Sequence, residues 1–282
     1  MFRFLYHPAV FLVVPILALS GGCRLSKPLK PLTPSLFKSG ELSRAGNSAM
    51  EKGNWEEAEK KLEEAVKLNK KDAELRRHYA EALWNRGKYP EALEQLAEAV
   101  KRGGAEDASL HISLAEKYLM MNNPSTAYRH AEEAIRLSPR ECKAWALHGK
   151  ASWFLAERQQ DSDSPDQVRQ YLLQARNDYY RALSFSTNHR DLLPELAAVQ
   201  MLCGQPELAL ATWQNLQKLF PPDEIPPDLL RGKAEAYVAL HRFNDAATCL
   251  QAAQEREPDR PEIAQRLQEV VALAQHGPLV RR

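Results

Sequence analysis

GNWEEAEKKLEEAV, from Gly53 to Val66, and GKYPEALEQLAEAV, from Gly87 to Val100, are two copies of one phrase. The second copy begins 34 residues after the first, and both place an alanine, a large apolar residue and a second alanine at the same spacing. Self-similarity at a period of about 20–50 residues is typical of solenoids, propellers and helical arrays. This phrase therefore decides how most of the chain folds.

Two small anchor positions carry the repeat along the chain. The first anchor recurs at steps of 34, 35, 48, 34 and 37 residues, at Ala58, Ala92, Ala127, Ala175, Ala209 and Ala246. The second anchor repeats every one of these steps, at Ala65, Ala99, Ala134, Ala182, Leu216 and Ala253. Because the two anchors agree at each step, they define about six repeats over residues 39–260.

The unequal steps predict insertions. One extra residue near Gly103 and Gly104 predicts a loose turn, and three extra residues within 220–227 predict a rigid, proline-rich joint. The largest insertion adds 14 residues to the fourth repeat, within 157–170. Ser164 is a good N-cap and Pro165 suits the first turn of a helix. The second helix of this repeat is therefore predicted to begin about two turns early and to protrude.

Each repeat also has an opening segment with a small residue, and some repeats end in proline. The small residues are Gly46, Ala80, Ala115, Gly149, Ala197 and Ala234, and the closing prolines are Pro139, Pro221 and Pro258. With these features the phrase resembles the tetratricopeptide repeat. The resemblance implies an all-α fold, a right-handed α-solenoid of about six helix-turn-helix units, in which helix A and helix B touch closely at the small positions. Since no such unit buries its apolar face alone, neighbouring units must stack.

Residues 261–276 are predicted to form a helix that caps the last repeat. Ile263, Leu267, Val270, Val271 and Ala274 fall on one helical face, with charges opposite. The Gly-Pro pair that follows ends this helix, and 277–282 are predicted to form a tail.

Residues 1–22 have the pattern of a secretory signal peptide, with a weakly basic start, an apolar run and small residues before Cys23. The run from Leu19 to Cys23 resembles the lipobox of bacterial lipoproteins, which implies cleavage before Cys23 and lipidation of its thiol. The leucine lies one place further from the cysteine than in the family pattern, so ordinary cleavage after Ser20 is the alternative. Arg24, where an aspartate would imply the inner membrane, favours an outer-membrane lipoprotein that faces the periplasm.

The segment 23–38 is predicted to be a tether between this anchor and the repeats. Pro28, Pro31 and Pro34 recur at every third residue, with lysines between and after them. Prolines at this spacing favour the extended polyproline II conformation, which makes a semi-rigid spacer.

The sequence carries no pattern that indicates catalysis. Motifs for phosphate-binding loops, dinucleotide sites, serine hydrolases and zinc proteases are missing. His78, His111 and His148 occupy different repeat positions, which favours packing over a metal site. Charge is balanced, with 38 Lys+Arg against 37 Asp+Glu, and this argues against a nucleic-acid partner. We therefore predict no enzyme activity, no cofactor and no metal site.

Three cysteines lie beyond Cys23, in three separate repeats and without the spacing of metal ligands. They are predicted to be small, buried or half-buried apolar residues and not members of a disulfide. These residues are Cys142, Cys203 and Cys249.

The resemblance places a binding surface on the concave side of the solenoid, lined by helix A of each repeat. The polar candidates on this surface are Asn47, Arg77, Glu81, Glu116, Lys143, Lys150, Arg231 and Glu235. An apolar stripe runs beside them, formed by Met50, Trp84, Leu119, Trp153, Met201 and Val238. In the family this stripe position often packs on its own superhelix, so partner binding and internal packing both remain open for Trp84 and Trp153.

One known version of this groove clamps a C-terminal carboxylate in chaperone-binding members of the family. The clamp uses Lys, Asn, Asn, Lys and Arg, and the matching places here hold Ser43, Asn47, His78, Ser109 and Ser113. Only Asn47 agrees, so a carboxylate clamp is not expected.

Two functions fit these observations. The first is an extracytoplasmic, lipid-anchored scaffold that binds a peptide or helix of a protein partner in its groove, as in bacterial tetratricopeptide lipoproteins that assist pilus, secretion or cell-wall machinery. The second is an envelope glycan-binding protein or an accessory subunit of an envelope enzyme. The repeats leave little chain for a separate catalytic domain, which favours the first.

Overall fold

The computed structural model describes residues 33–159 and 164–276. Over these residues the chain forms thirteen α-helices joined by short turns. Their bounds are α1 Pro34–Glu51, α2 Trp55–Leu68, α3 Ala73–Asn85, α4 Tyr89–Ala99, α5 Ala108–Met120, α6 Pro124–Leu137, α7 Cys142–Arg158, α8 Pro165–Phe185, α9 Leu193–Leu202, α10 Pro206–Gln217, α11 Pro227–Ala239, α12 Phe243–Arg256 and α13 Pro261–His276. The helices α1 to α12 form six antiparallel pairs, as the all-α prediction requires.

The small anchor positions are where the helices touch. All six first anchors are fully buried, and the second anchors are buried equally well, with Leu216 only 3% exposed. The small residues of the opening helices are buried too, and a Cβ added to Gly46 would come within 2.6 Å of a side-chain carbon of Leu62. Since larger side chains at these places would push helices A and B apart, the alanine spacing of the sequence fixes the helix pairing.

The turn between helix A and helix B has one conformation in five of the six repeats. The residue five positions before the first anchor is left-handed in each, with φ between 53° and 77°. Glycine, which has no Cβ to clash, occupies three of these places. Asn122 and His241 occupy the other two, and histidine adopts this conformation only at a steric cost. Asparagine tolerates it better.

The insertion in the fourth repeat lengthens both of its helices. The second helix of every other repeat begins three residues before its first anchor, whereas α8 begins at Pro165, ten residues before Ala175. The early start and the N-cap position of Ser164 agree with the sequence prediction, although the Ser164 side chain makes no capping hydrogen bond. The helix α7 is also longer, at 17 residues against 13 in α3, α5 and α11. The pair therefore extends beyond the A–B turns of its neighbours.

One of the two shorter insertions differs from what the sequence predicted. The extra residue near Gly103 forms no loose turn, because the chain continues from α4 as one π-helical turn over Val100–Gly104. The π turn, a rare element that occurs mostly as a single turn within α-helices, takes up the extra residue as a continuation of α4. The proline-rich joint after α10 contains a short 3₁₀ turn, Pro222–Glu224, and Ile225 behind it is buried in the core.

The first helix begins earlier than the sequence predicted. The predicted tether is wrong over its last residues, because α1 begins at Pro34, with Thr33 as N-cap, and not at residue 39. Proline at the first turn of a helix loses no hydrogen bond, so Pro34 begins the helix instead of extending a polyproline segment. The predicted signal peptide, Cys23 and the remainder of the tether lie outside the described residues.

The last helix covers the end of the stack. α13 spans Pro261–His276, the range predicted for the capping helix, and it buries Ile263 and Val270 against α12. Leu267 is half-buried, but Ala274 is exposed because α13 runs on beyond its neighbours. The predicted tail 277–282 lies outside the described residues.

Stacking follows a regular order. Each helix B contacts the helix A of the next repeat, and neighbouring A helices also touch, as α1 does with α3, α5 with α7 and α9 with α11. The A helices thereby form one continuous layer of the solenoid. No helix within 33–159 and 164–276 has both the length and the apolar character needed to cross a membrane.

Candidate functional site

The predicted apolar stripe lies on the layer of A helices and is mostly half-buried. Leu119 is only 8% exposed, and the other five side chains are partly covered. Each packs against the core of its own region: Met50 beside Leu62, Trp84 beside Leu83, Trp153 beside Tyr179, and Met201 and Val238 beside Trp213. The stripe is therefore part of the core, and it lies on the A helices, where the sequence predicts the floor of a groove.

Trp84 is covered from two sides. The ammonium of Lys117 lies 4.7 Å from the centre of its ring, and the ring of Tyr89 lies at the same centroid distance, tilted by 57°. A cation held over an aromatic face is attracted by the ring quadrupole. Trp84 thus joins α3, α4 and α5, and only part of its surface remains for a partner.

Trp153 is held between α7 and the core of the fourth and fifth repeats. It packs against the cluster that contains Tyr179 and Leu196, and the ring of Phe154 meets it edge-on at 6.3 Å. Its indole nitrogen is buried, with no acceptor among the described residues. Buried tryptophan N–H groups usually find a partner, and leaving one unsatisfied costs about 1–3 kcal/mol.

The polar candidates form a ladder of ion pairs between neighbouring A helices and the cap. Four of its members directly follow the small residue of their helix. The pairs are Glu81–Lys117 at 3.0 Å, Glu116–Lys143 at 3.1 Å, Lys150–Glu195 at 3.0 Å and Glu235–Arg266 at 2.7 Å. We call these four pairs the groove ladder. They join α3 to α5, α5 to α7, α7 to α9 and α11 to α13.

The ladder is partly open to solvent, so it orients the groove more than it stabilises the fold. The side chain of Lys143 is 54% exposed and that of Glu81 is 43% exposed. Exposed ion pairs of this kind contribute about 0.2–1 kcal/mol each. Their geometry nevertheless presents alternating charges along the wall of the groove.

Sequence reasoning missed three members of the ladder: Lys117, Glu195 and Arg266. Sequence reasoning assigned the charged residues of each repeat separately. These three partners lie on the following A helix or on the cap, and they stand at different repeat positions. It also missed Tyr179, a buried residue of α8 whose hydroxyl donates to Glu195 at 2.6 Å. Burial, and then the charge of Glu195, raise the pKa of Tyr179 well above its ordinary value, which keeps this hydroxyl a donor.

Three predicted polar residues, Asn47, Arg77 and Arg231, are not part of the groove ladder. Arg77 donates from Nε to Glu74 at 2.9 Å, and this hydrogen bond lowers the pKa of the Glu74 carboxyl. Arg231 pairs in the same way with Asp228 at 2.9 Å. Asn47 is half-buried, and its carbonyl oxygen has no donor among the described residues. These three residues are not brought into contact with one another.

The histidines pack between helices, as the sequence suggested. His148 and Asp178 form a buried pair at 2.7 Å between α7 and α8, and Gln174 donates a second hydrogen bond to Asp178. His111 and His130 meet through their Nδ1 atoms at 3.2 Å between α5 and α6. Over the part of the chain that the structure describes, no three His, Cys, Asp or Glu side chains converge to hold a metal.

The cysteines behave as apolar residues. Cys249 is buried, Cys142 and Cys203 are half-buried, and all three are free thiols. Burial raises the pKa of both the Cys203 and Cys249 thiols, so neither is activated as a nucleophile.

Comparisons with known proteins agree with this architecture. The family profile of the tetratricopeptide repeat matches residues 43–108. The chain is 25% identical over 138 residues to the Hsp70-Hsp90 organizing protein of Triticum aestivum and 26% identical over 134 residues to Hsp70-Hsp90 organizing protein 3 of Arabidopsis thaliana. Each match covers about half of this chain but only 21% and 24% of the relative.

Solved structures match over more of the chain. Pseudomonas aeruginosa pilF superposes with a TM-score of 0.66 at 14% identity, covering 84% of this chain and all of that one. PilW, a type IV pilus biogenesis factor, has the same TM-score at 18% identity and covers 81% of this chain and 98% of its own. YrrB, a tetratricopeptide protein with an unusual peptide-binding site, gives 0.56 at 18% identity, covering 74% and 97%. At these identities the likeness shows the fold, and that fold is the tetratricopeptide α-solenoid.

Proposed function

We propose that this tetratricopeptide solenoid is a non-enzymatic scaffold that binds a segment of a partner protein along its layer of A helices. One observation carries the proposal: the groove ladder runs beside a half-buried apolar floor across successive repeats. A long surface of this kind suits an extended or helical peptide better than a small molecule, because its contacts are distributed along the solenoid.

The partner segment would be amphipathic. Its apolar side chains would lie over the exposed edges of Trp84 and Trp153, and its charged side chains would exchange with members of the ladder. Lys143 and Glu116 are the most suitable exchange points, since both are more than one-third exposed. Interface energy concentrates in partly buried aromatic residues, with the surrounding charges fixing orientation and association rate.

The geometry fits a protein partner better than a glycan. A sugar needs a free aromatic face to stack on, and Trp84 already packs against Lys117 and Tyr89. The chaperone clamp is not favoured either, because His78, Ser109 and Ser113 stand at three of its places. The matched plant relatives are therefore not a guide to the partner.

We further propose that the chain is exported and anchored to a bacterial membrane through Cys23. The location that we propose is the periplasmic side of the outer membrane. The support is the signal pattern of residues 1–22 and the lipobox-like run before Cys23. The resemblance of the fold to pilF and PilW makes the assembly of pilus, secretion or cell-wall machinery the class of process to test first.

The groove is tested by site-specific photocrosslinking in the full-length protein. A photoreactive residue at Lys143, in the groove, should capture a defined partner, whereas one at Lys60, exposed on α2, should not. Trp84→Ala with Trp153→Ala should then weaken binding of that captured partner by more than about 2 kcal/mol. Equal capture at both positions, or full affinity of the double variant, would rule out the groove.

Because both tryptophans also pack internally, the double variant needs a folding control. Lys143→Glu changes an exposed side chain whose ion pair with Glu116 contributes no more than about 1 kcal/mol, so it should weaken binding of the same partner while leaving helix content unchanged and thermal unfolding nearly so. Purified cell-wall fragments serve as the competing ligand, and binding of these fragments through the groove would favour the glycan function instead.

The anchor is tested separately. Radiolabelled palmitate should enter the wild-type protein and not the Cys23→Ser variant, which should be released from membranes. If the wild type takes up no palmitate, ordinary cleavage after Ser20 is the better interpretation.

A further inference from the structure

The protruding part of α8 forms a second concave surface outside the groove. Its first turns lie beside the turn between α9 and α10, and the two elements enclose a notch of about 410 Å³. This volume falls in the range of about 300–1,000 Å³ that is usual for binding pockets. The notch owes its wall to the insertion, because helix B of the other repeats begins about two turns later.

The lining of the notch is largely apolar. Val168 and Leu173 of α8 are half-buried, Leu172 below them is buried, and Leu202 at the end of α9 is 43% exposed. A single exposed leucine needs no explanation. Here the exposed leucine faces other apolar side chains across a concavity, and this arrangement is typical of a site that receives an apolar side chain.

Arg169 lines the notch, and Arg176 adjoins it, because its guanidinium donates to Gln205, one of the lining residues. Arg169 and Arg176 are seven residues apart on α8, which places them about 10 Å apart along one side of the helix. No described carboxylate lies within ion-pair distance of either, whereas the arginines at 77, 136 and 231 are all paired. Asp166 and Asp178, the described acidic residues nearest in sequence, do not line the notch, and Asp178 pairs with His148.

Arg176 is also held in a fixed position. Its guanidinium donates to the Gln205 side-chain oxygen at 3.1 Å and to that of Asn177 at 3.3 Å, and its Nε is buried without an acceptor. These neutral amides orient the group without supplying a negative charge, and no described carboxylate pairs with it. A guanidinium fixed in this way is suited to bind a carboxylate, since little side-chain entropy remains to be lost.

We propose that the notch docks an acidic amphipathic segment of a partner protein, independently of the groove. An apolar side chain of the segment enters between Val168, Leu173 and Leu202, and two carboxylates about 10 Å apart pair with Arg169 and Arg176. A helix with acidic residues at i and i+7, or a polyproline II segment with acidic residues at i and i+3, has this spacing on one face. Two cations are too few for a nucleic acid or a membrane surface, which are bound by larger basic patches.

The test is a selection of random 12-residue peptides on the full-length protein, with counter-selection on the variant Arg169→Gln with Arg176→Gln. Enriched peptides should contain two acidic residues at one of these spacings beside a large apolar residue. Fluorescence anisotropy of an enriched peptide should show at least tenfold weaker binding to the double variant and to Leu202→Ser. The matched control, Arg136→Gln with Arg242→Gln, removes two exposed and paired arginines and should bind like the wild type.

Three outcomes would overturn the proposal. The first is a set of selected peptides with no enrichment in Asp and Glu. The second is binding of these peptides to the double variant as tightly as to the wild type. The third is a control variant that loses as much affinity as the double variant. Phosphatidylglycerol vesicles or a single-stranded oligonucleotide would also assign the surface to another ligand, if either binds more tightly than the selected peptides and if that binding depends on the same two arginines. Because the groove residues are unchanged in every variant, failure here leaves the photocrosslinking test of the groove unaffected.

Discussion

Gly232 tests how closely the helices of the last repeats approach one another. It lies in the middle of α11, and a Cβ added there would stand 2.4 Å from a ring carbon of Trp213 on α10. Gly40, in the middle of α1, has no atom within 4 Å of its added Cβ. The same substitution, glycine to alanine, should therefore have opposite effects on stability at the two positions.

The magnitudes follow from two competing terms. Alanine is favoured over glycine inside a helix by about 1 kcal/mol, and Gly40→Ala should stabilise α1 by roughly that amount. At Gly232 the same gain is opposed by overpacking, which costs about 1–3 kcal/mol. Carbon atoms normally meet at about 3.5–4.0 Å, so the rigid ring of Trp213 would have to move by more than about 1 Å. That ring is only 8% exposed among Leu210, Leu216 and Leu229, so the cost should be near the upper end.

We therefore expect Gly232→Ala to destabilise the protein by about 1–2 kcal/mol, and the two variants to differ by about 2–3 kcal/mol. Urea unfolding followed by circular dichroism gives the global effect. Because repeats can unfold separately, amide hydrogen exchange in α1 and in α11 locates each change. If Gly232→Ala stabilises the protein as Gly40→Ala does, the close contact between α10 and α11 is wrong.

Three further changes test other parts of the fold. His241→Gly should raise the free energy of unfolding by about 1 kcal/mol, because His241 has a φ of 56°, and Gly87→His should lower it, both measured by urea unfolding. Stability should fall as the pH drops from 6.5 toward 4. Burial, and then His111, lower the pKa of His130 to about 4, so only the unfolded state takes up the proton in that window. His130→Gln should therefore flatten the dependence of thermal unfolding on pH. Ala92→Phe should overpack a fully buried contact and cost roughly 1–3 kcal/mol or more, while Lys60→Ala on the surface should change stability by no more than about 0.5 kcal/mol.

The fold was predictable because its determinants are local. Ala58 and Ala65 define the contact between two adjacent helices, and both lie within one phrase, so their spacing alone fixes the pair. Ser164 and Pro165 likewise mark the early start of α8 from neighbouring residues only. The start of α1 was misplaced because a proline is compatible both with polyproline II and with the first turn of a helix, and sequence spacing does not separate the two.

The groove was harder to predict, because its contacts depend on how each repeat is rotated against the next. Lys117 and Glu195 stand at different repeat positions. Each nevertheless pairs with the residue that follows the small residue of the preceding A helix. Trp84 lies on α3, an A helix, and its packing against Lys117 of the next A helix could not be derived from its own repeat.

The two proposed surfaces share the fourth repeat without sharing side chains. α7 supplies Lys150 and Trp153 to the groove, and α8, its antiparallel partner, supplies Arg169 and Arg176 to the notch. The buried pair of His148 and Asp178 joins these helices, and breaking a buried pair by removing one partner costs about 3–5 kcal/mol. This pair and the hydrogen bond from Tyr179 to Glu195 are rigid contacts between the elements of the two surfaces. This separation is what allows one segment to bind along the A helices while a second, acidic segment occupies the notch.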